Sequence, residues 1–83
     1  MYILTATDSG GVYAARDSSM QKVVQLFVDE DDAIRYHEML KAEDFKENLE
    51  VSEVDVAVVV ANCQKYGYNY CIVEPNQLVI PPP

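Results

Sequence analysis

Hydrophobic residues along the chain form short runs that polar and turn-forming residues separate, and the spacing within each run predicts one element. Runs of strand length predict five β-strands, at 2–6, 12–15, 22–28, 49–53 and 69–73. The run at 22–28 is apolar on both faces, which is typical of a strand in the middle of a sheet. A further short run at 78–80 predicts an edge strand that ends at the prolines, since proline lacks a backbone donor.

Two segments have helical spacing, and each follows an aspartate suited to the N-cap position. After Asp29, residues that favour burial recur at i, i+3, i+4 and i+7 and predict a helix to about residue 42. These residues are Ala33, Tyr36, His37 and Leu40. Asp55 precedes a second helix at 56–66, which Gly67 closes in the left-handed conformation. The valine-rich start of this segment also favours a strand, but the cap, the length and the glycine favour helix.

The order β-β-β-α-β-α-β predicts the fold class. We expect one α+β domain over residues 1–83, with a proline tail at 81–83, because 83 residues are too few for two domains. Two helices would cover one face of a mainly antiparallel sheet of four to five strands, which makes a two-layer ferredoxin-like sandwich.

Charge restricts the partners that this chain can bind. Fourteen acidic and six basic residues give a net charge of −8, which repels nucleic acid and anionic lipid and favours a basic protein surface. The residues after Met1 lack the pattern of a signal peptide, and the longest apolar run is too short to span a bilayer. We therefore expect a cytoplasmic protein, or one from a compartment like the plastid stroma, with no membrane or nucleic-acid partner.

The candidate chemical groups each have a simpler structural explanation. The acidic run at 29–32 offers oxygen ligands for Mg²⁺ or Ca²⁺, but it lacks the glycine and distant glutamate of an EF-hand and suits a helix N-terminus. His37 has the chemistry of a general base, yet it lies on the predicted buried stripe of the first helix. We expect no metal site and no catalytic histidine here.

Cysteines and tyrosines lead to a similar expectation. Cys63 and Cys71 form no CxxC motif, so buried structural thiols are favoured over a redox pair. Tyr66 is predicted to be core, whereas Tyr68 and Tyr70 are predicted on the sheet surface. No set of residues meets the geometric requirements of a catalytic site, so we expect neither enzymatic activity nor a cofactor.

The order of several short motifs resembles a known family. The strand ends in Phe27, an acidic segment DEDDA follows at 29–33, Tyr36 lies one turn on, and Glu43-Asp44-Phe45 closes the helix region. This arrangement is similar to the small cyanobacterial and plastid family described as domain of unknown function 3110. The resemblance implies a small α+β domain from a cyanobacterial, plastid or marine cyanophage setting, and it implies no catalytic residue.

Three functional hypotheses follow. The first is a non-catalytic interaction or regulatory module that acts as a homo-oligomer, most simply a homodimer. The second is a small dimeric enzyme or ligand carrier with a pocket near His37, and the third is an acidic decoy for a basic protein surface. Helices on one face would leave apolar residues uncovered on the sheet and on the second helix, so these residues are the candidate interface. They are Val23, Phe27, Ala57, Val58 and Ala61.

Overall fold

The computed structural model describes residues 1–16 and 18–75, and its elements follow the predicted order. The α+β class and the order of strands and helices are confirmed. The predicted edge strand at 78–80 and the proline tail lie outside the described residues. The elements are β1 (Tyr2–Ala6), β2 (Ala14–Arg16), β3 (Lys22–Phe27), α1 (Glu30–Ala42), β4 (Leu49–Glu53), α2 (Val56–Tyr66) and β5 (Asn69–Val73).

Strand β3 is at the centre of the five-stranded sheet, as its two apolar faces predict. It pairs antiparallel with β1 and β2 and parallel with β5, and β1 also pairs antiparallel with β4. Strand β2 begins later than predicted, because Val12 forms only an isolated bridge to Thr5 before the ladder starts. The sheet therefore has β4 at one side and β5 at the other.

The two helices lie on opposite faces of the sheet, and the expected two-layer sandwich with both helices on one face is wrong in this respect. Leu4 and Phe27 share a core with the buried side chains of α1. Their chain neighbours Ile3 and Leu26 share a second core with Val59 of α2. Adjacent residues of a strand point to opposite faces, so the sheet separates the helices and the domain has three layers.

Connection direction explains this arrangement. Strands β3, β4 and β5 are mutually parallel, since β1 is antiparallel to both β3 and β4, and β5 is parallel to β3. Helix α1 crosses from β3 toward the β4 side, and α2 crosses back past β3 to β5. Nearly all such crossovers are right-handed, and two right-handed crossovers in opposite directions place their helices on opposite faces.

The core beneath α1 is the more aromatic of the two. Tyr36 is 1% exposed, and its ring centroid lies 5.5 Å from that of Phe27 and 6.0 Å from that of Tyr13. The hydroxyl oxygens of Tyr13 and Tyr36 are 3.3 Å apart. Burial, followed by this hydrogen bond, raises the pKa of Tyr36, so its phenol stays protonated within the core.

Helix α2 runs diagonally over the other face. It begins just after β4 ends. Glu53 at the end of β4 lies in one row across the sheet with Tyr2, Phe27 and Val73, to which it is linked by successive pairs. The helix ends at the opposite end of the sheet, where β5 starts. On this side of the sheet, Val12 and Tyr68 stay exposed beside α2, and Ile72 stays exposed toward the end of β5.

Candidate functional site

Aspartates occupy both predicted N-cap positions. The Asp29 carboxylate accepts a hydrogen bond from the Asp31 backbone N–H at 3.1 Å, and the Asp55 carboxylate accepts one from the Ala57 N–H at 3.0 Å. Gly67 ends α2 with a φ of 75°, in the predicted left-handed conformation. These local signals define α2 as a helix despite its valines, and they fix which of its side chains reach the surface.

Phe27 does not belong to a surface, and its assignment to the candidate interface is wrong. It is 1% exposed, because α1 covers the sheet face that was expected to be open. Val23 lies on the same face, as alternation along β3 requires, and is half-buried. The other three candidate residues, Ala57, Val58 and Ala61, are exposed on α2.

Helix α2 and β5 together form an exposed surface that is largely apolar. Val58 is 57% exposed, and Tyr70 and Ile72 are each 40% exposed on the α2 face of the sheet. From Val56 to Val73 the single charged residue is Lys65. We call this region, formed by Ala57, Val58, Ala61, Tyr70 and Ile72, the α2–β5 surface.

Tyr66 is a surface residue, contrary to the expectation that it belongs to the core. It is 67% exposed, because the buried stripe of α2 ends with Cys63. Residues 59, 62, 63 and 66 are spaced i, i+3, i+4 and i+7 and therefore line one flank of the helix. Tyr66 stands at the end of this flank and forms part of a cleft.

The cleft lies on the β2 side of α2, where Gly11 and Val12 just before β2 contribute to its lining, and it has a volume of about 490 Å³. Its floor is apolar and buried, and consists of Val24, Val59 and Cys63. The sides of the cleft are formed by Val12, Tyr66 and Tyr68, which remain 41–67% exposed. This combination of buried aliphatic floor and exposed aromatic wall is a general feature of small-molecule sites, which are mostly apolar with few polar groups.

Two lysines are next to the aromatic wall. The Lys22 Nζ atom lies 5.5 Å from the Tyr68 ring centroid, and the Lys65 Nζ atom lies 5.5 Å from the Tyr66 ring centroid. Both distances are within the range of cation–π attraction. A second, smaller cavity of about 230 Å³ adjoins the cleft, since Val12 and Tyr68 line both, and Lys22 also lines it. Glu47 also lines this second cavity. Each of the two cleft tyrosines is next to a lysine ammonium group.

The two cysteines are on opposite faces of the sheet. Cys63 is buried in the α2 core, whereas Cys71 pairs in register with Gln25 and faces the α1 side. Cys71 is exposed, which corrects the expectation of two buried thiols. Burial raises the pKa of the Cys63 thiol, and partial loss of contact with water raises the pKa of the Cys71 thiol as well. The intervening sheet excludes a disulfide between the two cysteines of one chain.

The acidic run and His37 contribute to α1 and not to the cleft. Asp32 accepts an ion-pair contact from Arg35 at 3.4 Å, and the described residues contain no group of three His, Cys, Asp or Glu arranged to hold a metal ion. His37 is half-buried, and burial, followed by repulsion from Lys41, lowers its pKa. Neither of the two cavities contains His37.

Sequence reasoning missed Val12 and Tyr68 as neighbours of α2. They are more than fifty positions apart, and only the pairing of β2 and β5 with β3 brings them together. The signal that was available is the uncharged, tyrosine-rich stretch after Lys65, which includes Tyr66, Tyr68 and Tyr70.

Comparison with known proteins gives a family and no activity. In residues 1–16 and 18–75, no helix combines the length and apolarity that a bilayer crossing requires. No curated protein and no solved structure matches the chain. A family model does match residues 1–83, and the chain belongs to the family described as domain of unknown function DUF3110.

Proposed function

We propose that this chain is a non-catalytic protein-interaction or regulatory module that acts as a homodimer, in the cytoplasm or a stroma-like compartment of a cyanobacterial, plastid or cyanophage system. The observation that carries the proposal is the α2–β5 surface, because the side chains of Val58, Tyr70 and Ile72 are exposed on the α2 side of the sheet. Exposed apolar clusters of this kind mark contact surfaces, because leaving them in water has a free-energy cost.

Charge distribution favours a second copy of the chain as the occupant. Each copy carries a net charge of −8, so association is favourable only where carboxylates do not meet. Most of the acidic residues lie between positions 29 and 55, and none lies between 56 and 73. The α2–β5 surface itself thus contains no acidic residue, and Asp55, which accepts a hydrogen bond from the Ala57 N–H, lies at its edge. Two copies can therefore approach there with fewer carboxylates in contact than elsewhere.

Composition and symmetry support the same occupant. Interface cores are poor in charged residues and rich in aromatic ones, and this surface has no charged residue and includes Tyr70. A two-fold dimer requires a patch that is complementary to itself. An uncharged patch with small residues, such as Ala57 and Ala61, and larger ones, such as Val58 and Ile72, meets that requirement. The carboxylates would lie at or beyond the rim.

Sedimentation equilibrium of the full chain tests this proposal. At high micromolar concentration the parent should have about twice the monomer mass of 9.3 kDa, and higher salt should tighten the dimer slightly by screening the acidic residues. Val58→Asp places a carboxylate within the α2–β5 surface and should give monomer. Ile34→Asp on α1 is the matched control, since Ile34 is 41% exposed and the charge change is identical, and it should remain dimeric.

Two outcomes would contradict the dimer proposal. A parent protein that stays at 9.3 kDa at high micromolar concentration excludes self-association as the role of this surface. Equal loss of dimer in Val58→Asp and Ile34→Asp indicates a general charge effect and not a contact on α2.

A second candidate partner is a basic protein, and the acidic half of the chain favours it. Glu30, Asp31 and Glu38 are exposed on α1, and Glu43, Asp44 and Glu47 are exposed just after it. A partner held by such residues binds through long-range attraction, so its affinity should fall steeply as salt rises. Dimerisation should respond to salt in the opposite direction, which distinguishes the two interactions.

A further inference from the structure

We propose that the cleft between α2 and β2 binds a small, flat, apolar molecule that carries a negative charge, such as an aromatic carboxylate. The proposal concerns the residues of α2 that line the cleft and does not depend on dimerisation. It combines the shape of the cleft, the chemistry of its lining and the position of two lysines.

Size and lining set the class of ligand. A volume of about 490 Å³ is within the range of about 300–1,000 Å³ that is typical of small-molecule sites. The buried floor of Val24, Val59 and Cys63 offers an apolar contact, and no charged residue lines the cleft. A ligand that enters must therefore place an apolar body against this floor.

Tyrosine rings favour a flat body. Tyr66 and Tyr68 line the cleft and are 67% and 41% exposed. Aromatic side chains stack on planar rings at a typical gain of about 1–3 kcal/mol for a nucleic-acid base. A planar ligand would cover these rings, which the protein itself leaves in water.

Lysines at the mouth favour a negative charge. The ammonium groups of Lys22 and Lys65 each lie 5.5 Å from the centroid of a cleft tyrosine. The described acidic residues contribute no side chain to the cleft lining. A ligand that rests on Tyr66 and Tyr68 thus lies close to two cations.

Asn62 offers a polar contact to the ligand, and its side-chain amide gives an NMR signal that reports binding. Its side-chain amide lines the cleft on the same flank of α2 as Tyr66, and an amide can donate a hydrogen bond to a carboxylate oxygen. Its N–H signals are resolved from backbone amides in a heteronuclear NMR spectrum, so binding at this place can be followed directly.

The experiment uses 2-naphthoate as the probe and 2-naphthamide as its neutral match, each titrated into the full chain and followed by NMR. We expect saturable shifts at the Asn62 side-chain amide and the Tyr68 backbone amide, no shifts along α1, and a dissociation constant for naphthoate of about 1 mM or lower. Tyr66→Ser should weaken naphthoate binding about tenfold through loss of stacking.

The charge of the probe is tested separately. The double variant Lys22→Gln with Lys65→Gln should weaken naphthoate about fivefold and leave naphthamide unchanged, whereas Lys41→Gln on α1 removes a lysine from the opposite face and should change neither. Equal affinity of the parent for the two probes, shifts that map outside the cleft, or a dissociation constant for naphthoate well above about 1 mM would each overturn the proposal.

Discussion

The two helices are built alike at their ends and differ in what they present to water. Both start at an aspartate cap, and both bury a stripe against the sheet. The exposed side of α1 carries Glu30, Asp31 and Glu38, whereas the exposed side of α2 carries Ala57 and Val58. Local signals thus determine whether each helix forms, whereas the residues that face away from the core determine which surface it presents to a partner.

The largest expected difference between the helices concerns their tyrosines. Tyr36→Ala removes a ring that is 1% exposed and should lower the free energy of unfolding by about 3–5 kcal/mol. Tyr66→Ala removes a ring that is 67% exposed and should change it by less than about 0.5 kcal/mol. Urea denaturation of both variants measures the two effects.

Tyr36→Phe is the control for that comparison. It keeps the ring and removes the hydroxyl, so it should lower the free energy of unfolding by only about 1 kcal/mol through loss of the contact with Tyr13. If Tyr66→Ala destabilised the protein as strongly as Tyr36→Ala, Tyr66 would be a core residue and the contrast between the helices would fail.

Loss of an N-cap should show a smaller difference between the helices, with the greater loss of unfolding free energy at the cap of α2. Asp29→Ala should lower the free energy of unfolding by about 1 kcal/mol, because three acidic residues in the first turn of α1 still interact with the helix dipole. Asp55→Ala should lower it by up to about 2 kcal/mol, because the first turn of α2 has no acidic residue. Urea midpoints give both values, and an Asp29→Ala midpoint equal to that of the parent would show that this cap is misassigned.

The smallest expected effect is the pH dependence that His37 gives to α1. Burial lowers the pKa of His37 below its usual 6.5, so the unfolded chain binds the proton more readily than the folded one. The resulting stability is present above about pH 6.5 and is lost as the pH falls through the lowered pKa. The difference in unfolding free energy between the parent and His37→Gln should therefore shrink from pH 7 to pH 5, and a constant difference would contradict this assignment.

Local signals made much of the fold predictable. Asp55 and Gly67 identify α2 as a helix although Val58 and its neighbours favour a strand, since a cap and a left-handed terminus specify where a helix starts and stops. The apolar residues on both sides of β3 indicated a central strand. Each of these features depends on residues close together in the sequence.

The side on which each helix lies could not be derived in the same way. It depends on the order of strands across the sheet, and β5 joins β3 on the side away from β1. The two-layer expectation left Phe27 uncovered, although α1 buries it. The two-layer expectation also gave no indication of the cleft, because Val12 approaches Tyr68 only after strands distant in sequence have paired.

Long-range pairing also sets the pace at which this domain assembles. The Thr5 and Ser52 side chains that join β1 to β4 are 47 residues apart, and Asn69 and Gln21, which link β5 to the start of β3, are 48 apart. Only β2 and β3 are close neighbours in the chain. Closing large loops costs entropy before any contact is gained, so a high contact order slows folding. Among the described residues, the β2–β3 hairpin and the short turn that pairs Thr5 with Val12 are local and can thus form early. The pairing of β3 with β5 and of β1 with β4 requires the closure of longer loops.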